Sequence, residues 1–339
     1  MLIDSTRPTG FSLIACIAHT AAFVLAITGA SVSAQEKVTY NMSWLPQGST
    51  AGVPIAIDQG YFKEVGLDVE AVRGYGGSRT VNEIDQGKFE FGYGDPISIV
   101  LNRAQGGKTR LIGVINSRWP GSICYVEGRQ KPTGLDSLKG LAMGGGSASP
   151  VQTVLPAWLG LNDKPRDHIK LVKMDPTVID AALIEGKIDL AECWAGSNLP
   201  LLTKKGRDAG VTIKSIALAD HKLDVYGSGF TATEELLAKK PEVARRFLRA
   251  AYRGYDFMQK NPERAADIMV KMYSVLDRGV VLQQIQDINV LIADAGASDK
   301  RMGFIRDDRA AATVKFIDTA YDLKGKVKAG DIYSNDYLK

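Results

Sequence analysis

The feature that most constrains this chain is a restart. The segment Gly74 to Asp95 reads GYGGSRTVNEIDQGKFEFGYGD, and the later segment Lys173 to Trp194 reads KMDPTVIDAALIEGKIDLAECW. Both contain a loop, a helical stretch, Gly-Lys and then apolar–acidic–apolar, so Gly87-Lys88 corresponds to Gly186-Lys187. One such unit is a common local pattern. Two of them, each inside its own alternation of strand and helix, point to two lobes of similar build. Around the first, short apolar runs at residues 38–42, 67–72, 89–93 and 111–115 alternate with helical patterns at 51–58, 80–86 and 96–104. Around the second, runs at 141–144, 169–172 and 188–191 alternate with helical patterns at 151–159 and 178–185. Strands separated by helices form parallel sheets covered by those helices. The expected class is therefore α/β, each lobe a mainly parallel sheet flanked by helices. A length of 339 residues, more than one core usually holds, agrees with two lobes.

The last third changes character. Val243, Phe247, Leu248, Ala251, Tyr255 and Met258 form one apolar face at helical spacing. Pro241 suits a first helical turn, and Pro262 starts another helix after Asn261. Arg245, Arg246, Arg249 and Arg253 fall among the polar positions and read as a solvated face. The net charge of +4, from 42 basic and 38 acidic residues, is too slight and too evenly spread for nucleic acid or an anionic membrane. At the N-terminus, Arg7 precedes an apolar run from Phe11 to Ile27, and Val32-Ser33-Ala34 follows. This is the pattern of a secretory leader cleaved after Ala34. His19 and Thr20 interrupt the run, which argues against a membrane span, and most of it follows Cys16, which argues against lipidation there. Cys16 leaves with the leader. Cys124 and Cys193 could pair in an oxidising compartment, but two cysteines do not make a disulfide scaffold, and buried free thiols are expected.

Few residues carry reactive chemistry. Gly107-Lys108-Thr109 lacks the first glycine of a phosphate-binding loop and follows a helix. Gly74 to Gly77 and Gly144 to Gly146 join strands to helices, where a ligand can approach backbone N–H groups. Thr80 with Glu83, and Ser149 with Gln152, have capping-box spacing. His168 and His221 sit in polar surroundings and read as surface residues. No His/Cys/carboxylate cluster has metal-ligand spacing, and no nucleophile has a base beside it. The aromatics say more. Trp44, Tyr93 and Trp194 close strands, and the carboxyl ends of strands in an open parallel sheet face the ligand crevice. Singly each could be a packing residue; recurring at equivalent strand ends, they suggest a stacking pocket. Asp95 could accept a hydrogen bond from a ligand or cap the helix that starts at Pro96, and both roles stay open.

Trp44-Leu45-Pro46, the run AIDQGYFKEVGLDV at residues 56–69, GYGGS at 74–78, GKFEFG at 87–92, GKIDL at 186–190 and the region from Tyr226 through Val243 carry a resemblance over nearly all of the chain after the leader. It resembles the periplasmic solute-binding proteins of ABC importers in the nitrate/sulfonate/taurine-type family, nearest the branch for thiamine pyrimidine precursors. The resemblance implies a type II periplasmic binding protein with two hinge crossings, near Ser122 to Tyr125 and Tyr226 to Gly229. Residues 1–34 would be the signal peptide, 35–124 with 228–339 the first lobe, and 125–227 the second. The pocket would involve Trp44, Gly76, Gly77, Ser78, Asp95, Ser147, Thr177, Trp194 and Tyr226. The partners would be a small-molecule ligand and an ABC permease and ATPase, for a monomer without nucleic acid or cofactor. A planar heterocycle such as a thiamine pyrimidine precursor suits the aromatic composition, with an alkanesulfonate, nitrate or an aromatic acid as alternatives. The superfamily also holds an enzyme that makes the thiamine pyrimidine from its own histidine and pyridoxal phosphate and has a cysteine-rich stretch. The matching stretch here, AECWAGS at residues 191–197, has one cysteine. The N-terminal half of the first lobe has no histidine, and a leader is present, so an enzyme is not expected.

Overall fold

The computed structural model describes residues 35–147, 149–293 and 302–338. The expected leader and its cleavage point after Ala34 lie outside them. Among the described residues the strands are β1 Glu36–Asn41, β2 Leu67–Val72, β3 Phe91–Gly94, β4 Thr109–Val114, β5 Gly121–Val126, β6 Ala142–Gly146, β7 Lys170–Met174, β8 Leu190–Trp194, β9 Ile213–Ala217 and β10 Gly229–Thr233. They form two five-stranded sheets, in the orders β2-β1-β3-β10-β4 and β7-β6-β8-β5-β9. In the first sheet β1 runs parallel to β2 and β3, and β10 lies antiparallel between β3 and β4. In the second, β6 runs parallel to β7 and β8, and β5 lies antiparallel between β8 and β9. The orders are equivalent: β1 to β4 correspond to β6 to β9, and the reversed strand of each sheet is the one that follows a passage from the other.

The repeated Gly-Lys units acquire a physical meaning here. Glu90, after Gly87-Lys88, accepts the Thr39 N–H of neighbouring β1 at 2.8 Å and the Thr39 hydroxyl at 2.6 Å. Asp189, after Gly186-Lys187, accepts the Ala142 N–H of neighbouring β6 at 2.9 Å. Each acidic residue thus ties the incoming parallel strand to a central one. Exposure along the strands follows position in the sheet. Leu67 and Val69 of edge strand β2 are buried while Asp68 and Glu70 are exposed, and β3 between two neighbours is buried throughout.

The first lobe is held by the helix Pro241–Lys260, whose six apolar positions read from the sequence are all buried. Phe247 stacks on Phe91 at 4.1 Å between ring centroids and touches Phe62, Tyr40 and Phe230. Gly254 lets this helix lie directly on the helix Gly52–Asp58: a Cβ there would stand 1.9 Å from the Gly52 carbonyl oxygen. The polar arginines behave as a solvated face with anchors. Arg246 reaches Glu36 at 2.9 Å and Arg253 pairs with Glu64 at 2.5 Å. The later helix Asp307–Tyr321 buries Ala310, Val314 and Ile317 in a core shared with Ile97 and Val100 beside the first sheet and Val154 and Trp158 beside the second.

Four expectations need correction. The first passage between sheets is not at Ser122 to Tyr125, because those residues lie inside β5, paired on both sides in the second sheet. The chain leaves the first sheet over residues 115–120 and returns over residues 218–228, with Gly229 already the first residue of β10. The two passages run side by side: Ile115 and Asn116 N–H groups donate to the Ser228 carbonyl at 3.0 and 2.9 Å, and the Gly227 N–H donates to the Asn116 carbonyl at 3.0 Å. Second, Cys124 and Cys193 are not free thiols. The β5–β8 register pairs Ser122 with Cys193 and Cys124 with Ala191, which sets the two cysteines diagonally on one face with Cα atoms 5.9 Å apart, and they form a disulfide. Third, His168 is buried, its Nε2 2.9 Å from the Leu135 carbonyl oxygen, and His221 sets its ring edge-on to Trp158. Fourth, neither capping box forms. The helix Gly77–Asp85 starts at Gly76, before Thr80, and Glu83 pairs with Arg79 and Asn41. Ser149 donates its hydroxyl to Glu192.

Candidate functional site

The carboxyl ends of the parallel strands from both sheets meet. After β1, the Gln47 side chain accepts the Ser197 hydroxyl at 2.8 Å, and the Ser49 N–H donates to the Gly196 carbonyl at 2.9 Å, both partners following β8. After β2, Gly77 faces Pro150, which follows β6: a Cβ on Gly77 would stand 3.4 Å from Pro150 Cγ. The loops that end the strands of one lobe thus touch those of the other.

Asp95 is the central group on the first wall. It follows β3 and takes the capping role that its sequence position allowed. Its Oδ1 accepts the Ser98 N–H at 2.8 Å, capping the helix Pro96–Ala104. Its Oδ2 is buried and has no hydrogen-bond partner among the described residues, although the residue is only 4% exposed. The residue in front of that oxygen is a glycine: a Cβ on Gly77 would stand 2.7 Å from Oδ2. Burial pushes the Asp95 carboxyl above its ordinary range, partly offset by the hydrogen bonds from Ser98. Ser78, half-buried beside Gly77, shares a 3.2 Å hydroxyl contact with Ser98. Gly76 takes φ +121°, a left-handed backbone that favours glycine, and its N–H donates to the Ser43 carbonyl at 2.7 Å.

Glu192 on β8 is the matching group on the second wall, and sequence reasoning missed it. It is 7% exposed. One oxygen accepts the Gly146 N–H at 2.8 Å and the other accepts the Ser149 hydroxyl. Burial raises this carboxyl too, against the hydrogen bonds from Ser149, Gly146 and the Trp194 side chain. An acid inside the apolar run Leu190-Ala191-Glu192-Cys193 was the available signal. Gln152 stands next to it, with its Nε2 buried and unpartnered among the described residues, 2.8 Å from where a Gly145 Cβ would be.

The remaining expected residues are placed unevenly. Trp194 closes β8 half-buried, its ring edge-on to Trp119 at 5.5 Å, and its backbone N–H donates to Asn198 Oδ1. Trp44 is half-buried in the loop after β1, its carbonyl accepting the Gly74 N–H at 3.1 Å. Ser147 is exposed in the turn after β6. Thr177 is exposed, with hydroxyl and N–H both bonded to Asp175, which caps the helix Pro176–Ile184. Tyr93 is buried, bonded to Asn116 of the first passage at 2.9 Å, and desolvation pushes its hydroxyl up to about 12. Tyr226 is buried in the return passage. Its hydroxyl accepts the Arg306 N–H at 3.1 Å and its ring lies under the Arg309 guanidinium at 4.3 Å, so both are engaged by the C-terminal segment. Arg79, the cation adjoining the glycine loop, pairs with Glu83 at 2.7 Å and stacks on Tyr75. No group of three His, Cys, Asp or Glu side chains able to hold a metal occurs among the described residues. Two small cavities, of about 10 and 50 Å³, lie away from these loops, one beside Tyr226 and one beside Arg129, and neither has room for more than water.

The family model described as NMT1/THI5 like matches residues 47–265. A provisionally named binding protein of Brucella abortus is 24% identical over 290 residues, 85% of this chain and 88% of that one. The yeast Saccharomyces cerevisiae 4-amino-5-hydroxymethyl-2-methylpyrimidine phosphate synthase THI13 is 26% identical over 269 residues, 74% of this chain and 75% of that one. Among solved structures, the periplasmic aliphatic sulphonate binding protein SsuA of Escherichia coli superposes with a TM-score of 0.69 at 16% identity, over 90% of this chain and 99% of that one. The ligand binding component of an ABC-type import system from Staphylococcus aureus superposes with a TM-score of 0.63 at 15% identity, over 90% and 98%. The two-lobed fold is that of the periplasmic binding proteins, as the sequence resemblance implied.

Proposed function

We propose that this chain, which belongs to the NMT1/THI5-like family, captures a small organic solute between its two lobes and hands it to an ABC importer. The observation that carries this reading is the meeting of equivalent strand ends from two equivalent sheets, with the buried Asp95 Oδ2 left unpartnered where they meet. A buried acceptor without a donor costs free energy, and a ligand that donates to it recovers that cost. The two passages, 115–120 and 218–228, supply the hinge. The half-buried Trp44 and Trp194 give the solute flat surfaces, which favours a planar heterocycle such as a thiamine pyrimidine precursor. The Cys124–Cys193 disulfide suits an oxidising compartment and so an exported, periplasmic chain, in line with the leader read at residues 1–34. The protein works as a monomer, with the permease and ATPase of the importer as its partners.

An enzyme is the second reading, because the yeast relatives are named as synthases. It is disfavoured here: Cys193, in the stretch matching the cysteine-rich segment, is tied in the disulfide, and His168 is held by a backbone carbonyl. The enzyme reading requires pyridoxal phosphate absorbance and a lysine adduct in the purified protein, and we expect neither.

The test of capture is a thermal-shift screen across pyrimidines, flavins, aromatic acids, sulfonates and nitrate. A solute at 100 times its dissociation constant adds about 2.7 kcal/mol of stability, which is readily seen. For the heterocycle that binds, Trp44→Ala or Trp194→Ala is expected to weaken affinity about tenfold, or about 1.4 kcal/mol. Stabilisation by taurine or nitrate alone, with both substitutions silent, would remove the stacking role.

A further inference from the structure

We propose that the solute is gripped by two buried carboxylates, Asp95 from one lobe and Glu192 from the other, and is therefore a cation or a neutral molecule rich in N–H donors, not an anion. This rests on the capture reading and deepens it.

The two groups are joined by a short chain of contacts across the lobes. Asp95 Oδ2 lies against Gly77, and Gly77 lies against Pro150. The residue before Pro150, Ser149, donates to Glu192. Both residues are more than nine-tenths buried, and no ion pair joins either to a cation among the described residues. Asp95 keeps one whole oxygen free. Glu192 accepts from Gly146 and Ser149 with the Trp194 side chain beside it, and the four lone-pair sites of its carboxylate leave room for a further donor. The glycine in front of Asp95 leaves its buried oxygen without a side chain over it, since a methyl group there would stand 2.7 Å from it. On the other wall the Gln152 side-chain Nε2 is also buried and unpartnered, and an amide flip would set its oxygen there instead.

This set of acceptors is wrong for a sulfonate or nitrate. An anion would bring a third negative charge beside two carboxylates in a low-dielectric crevice, and Arg79, which adjoins the glycine loop, is already committed to Glu83 and Tyr75. A planar amidinium donates to a carboxylate through two parallel hydrogen bonds, and an aminopyrimidine does the same once its ring nitrogen is protonated. Because the two acceptors belong to different lobes, a ligand that satisfies both favours the closed arrangement.

The test uses the full secreted chain, with benzamidine and 4-amino-2-methylpyrimidine as donor-bearing probes and benzoate and ethanesulfonate as anions, by thermal shift and then calorimetry. Three variants are compared: Asp95→Asn, Glu192→Gln, and Gly77→Ala, which covers the Asp95 oxygen without changing charge. Each is checked for a cooperative melt, and Asp95→Asn keeps the oxygen that caps Ser98. We expect a donor-bearing probe to bind, both anions to fail, and each variant to weaken the bound probe at least tenfold. Binding of benzoate or ethanesulfonate alone, or a dissociation constant that stays within about twofold in all three variants, would overturn the carboxylate grip and leave solute capture standing. If neither these four compounds nor any member of the wider screen binds, capture itself falls, and the grip with it.

Discussion

Replacing Cys124 and Cys193 together with alanine is expected to lower the stability of the protein by about 4 kcal/mol. The bond closes a loop of 69 residues, and freeing it returns that loop's conformational entropy to the unfolded chain. The location adds to the effect. Both sulfurs are buried between β5 and β8, where the second lobe's reversed strand meets the strand that carries Glu192 and Trp194. Urea unfolding of the oxidised protein and the double variant, followed by tryptophan fluorescence, measures the difference. Thiol titration of the denatured secreted protein should find no free cysteine. A difference under about 1 kcal/mol would mean that the unfolded chain is restrained by something other than the link.

Phe247→Ala is expected to cost a similar amount, about 4 kcal/mol, for a different reason. The ring is fully buried and meets four other aromatic rings, two of them stacked. Its removal loses the transfer free energy of a large side chain and leaves a cavity under β1, β3 and β10, the strands that carry Trp44 and Asp95 into the crevice. Phe247→Leu should recover about half of the loss, since it fills most of the volume. Chemical denaturation of both variants checks the order. A loss below about 2 kcal/mol for alanine would show that the first lobe's core collapses around the gap.

These two effects also mark where the sequence was readable. The face of Phe247 was legible because helical periodicity is local: six apolar positions recur on one side over 20 residues, and all six are buried. Residues 67–72 and 96–104 were placed with the observed bounds for the same reason, a period-2 edge strand and a helix opened by Asp95-Pro96. The disulfide was not legible. It depends on which residue of β5 faces which residue of β8, and that register joins strands far apart in the chain. The first passage was misplaced for a related reason. Residues 121–126 are almost wholly buried, as a strand between two neighbours must be, and an apolar run does not say which sheet it joins. β9 went unread because IKSIA exposes its polar positions at the sheet edge and is short. In the site, Asp95 and Gly77 were legible through their strand-end positions. Glu192 was not, because the acid that drew notice in the repeat was Asp189, whose carboxylate serves the sheet instead. His168 misled by its polar neighbours, while its own ring turns inward to a carbonyl.

A small solute is expected to draw the two lobes together about the passages at 115–120 and 218–228. Small-angle X-ray scattering of the secreted chain, alone and saturated with the compound that gives the largest thermal shift, tests it most directly. The radius of gyration should fall on saturation, and fall less for Asp95→Asn at the same ligand concentration. An unchanged radius at proven saturation would contradict capture by hinge closure.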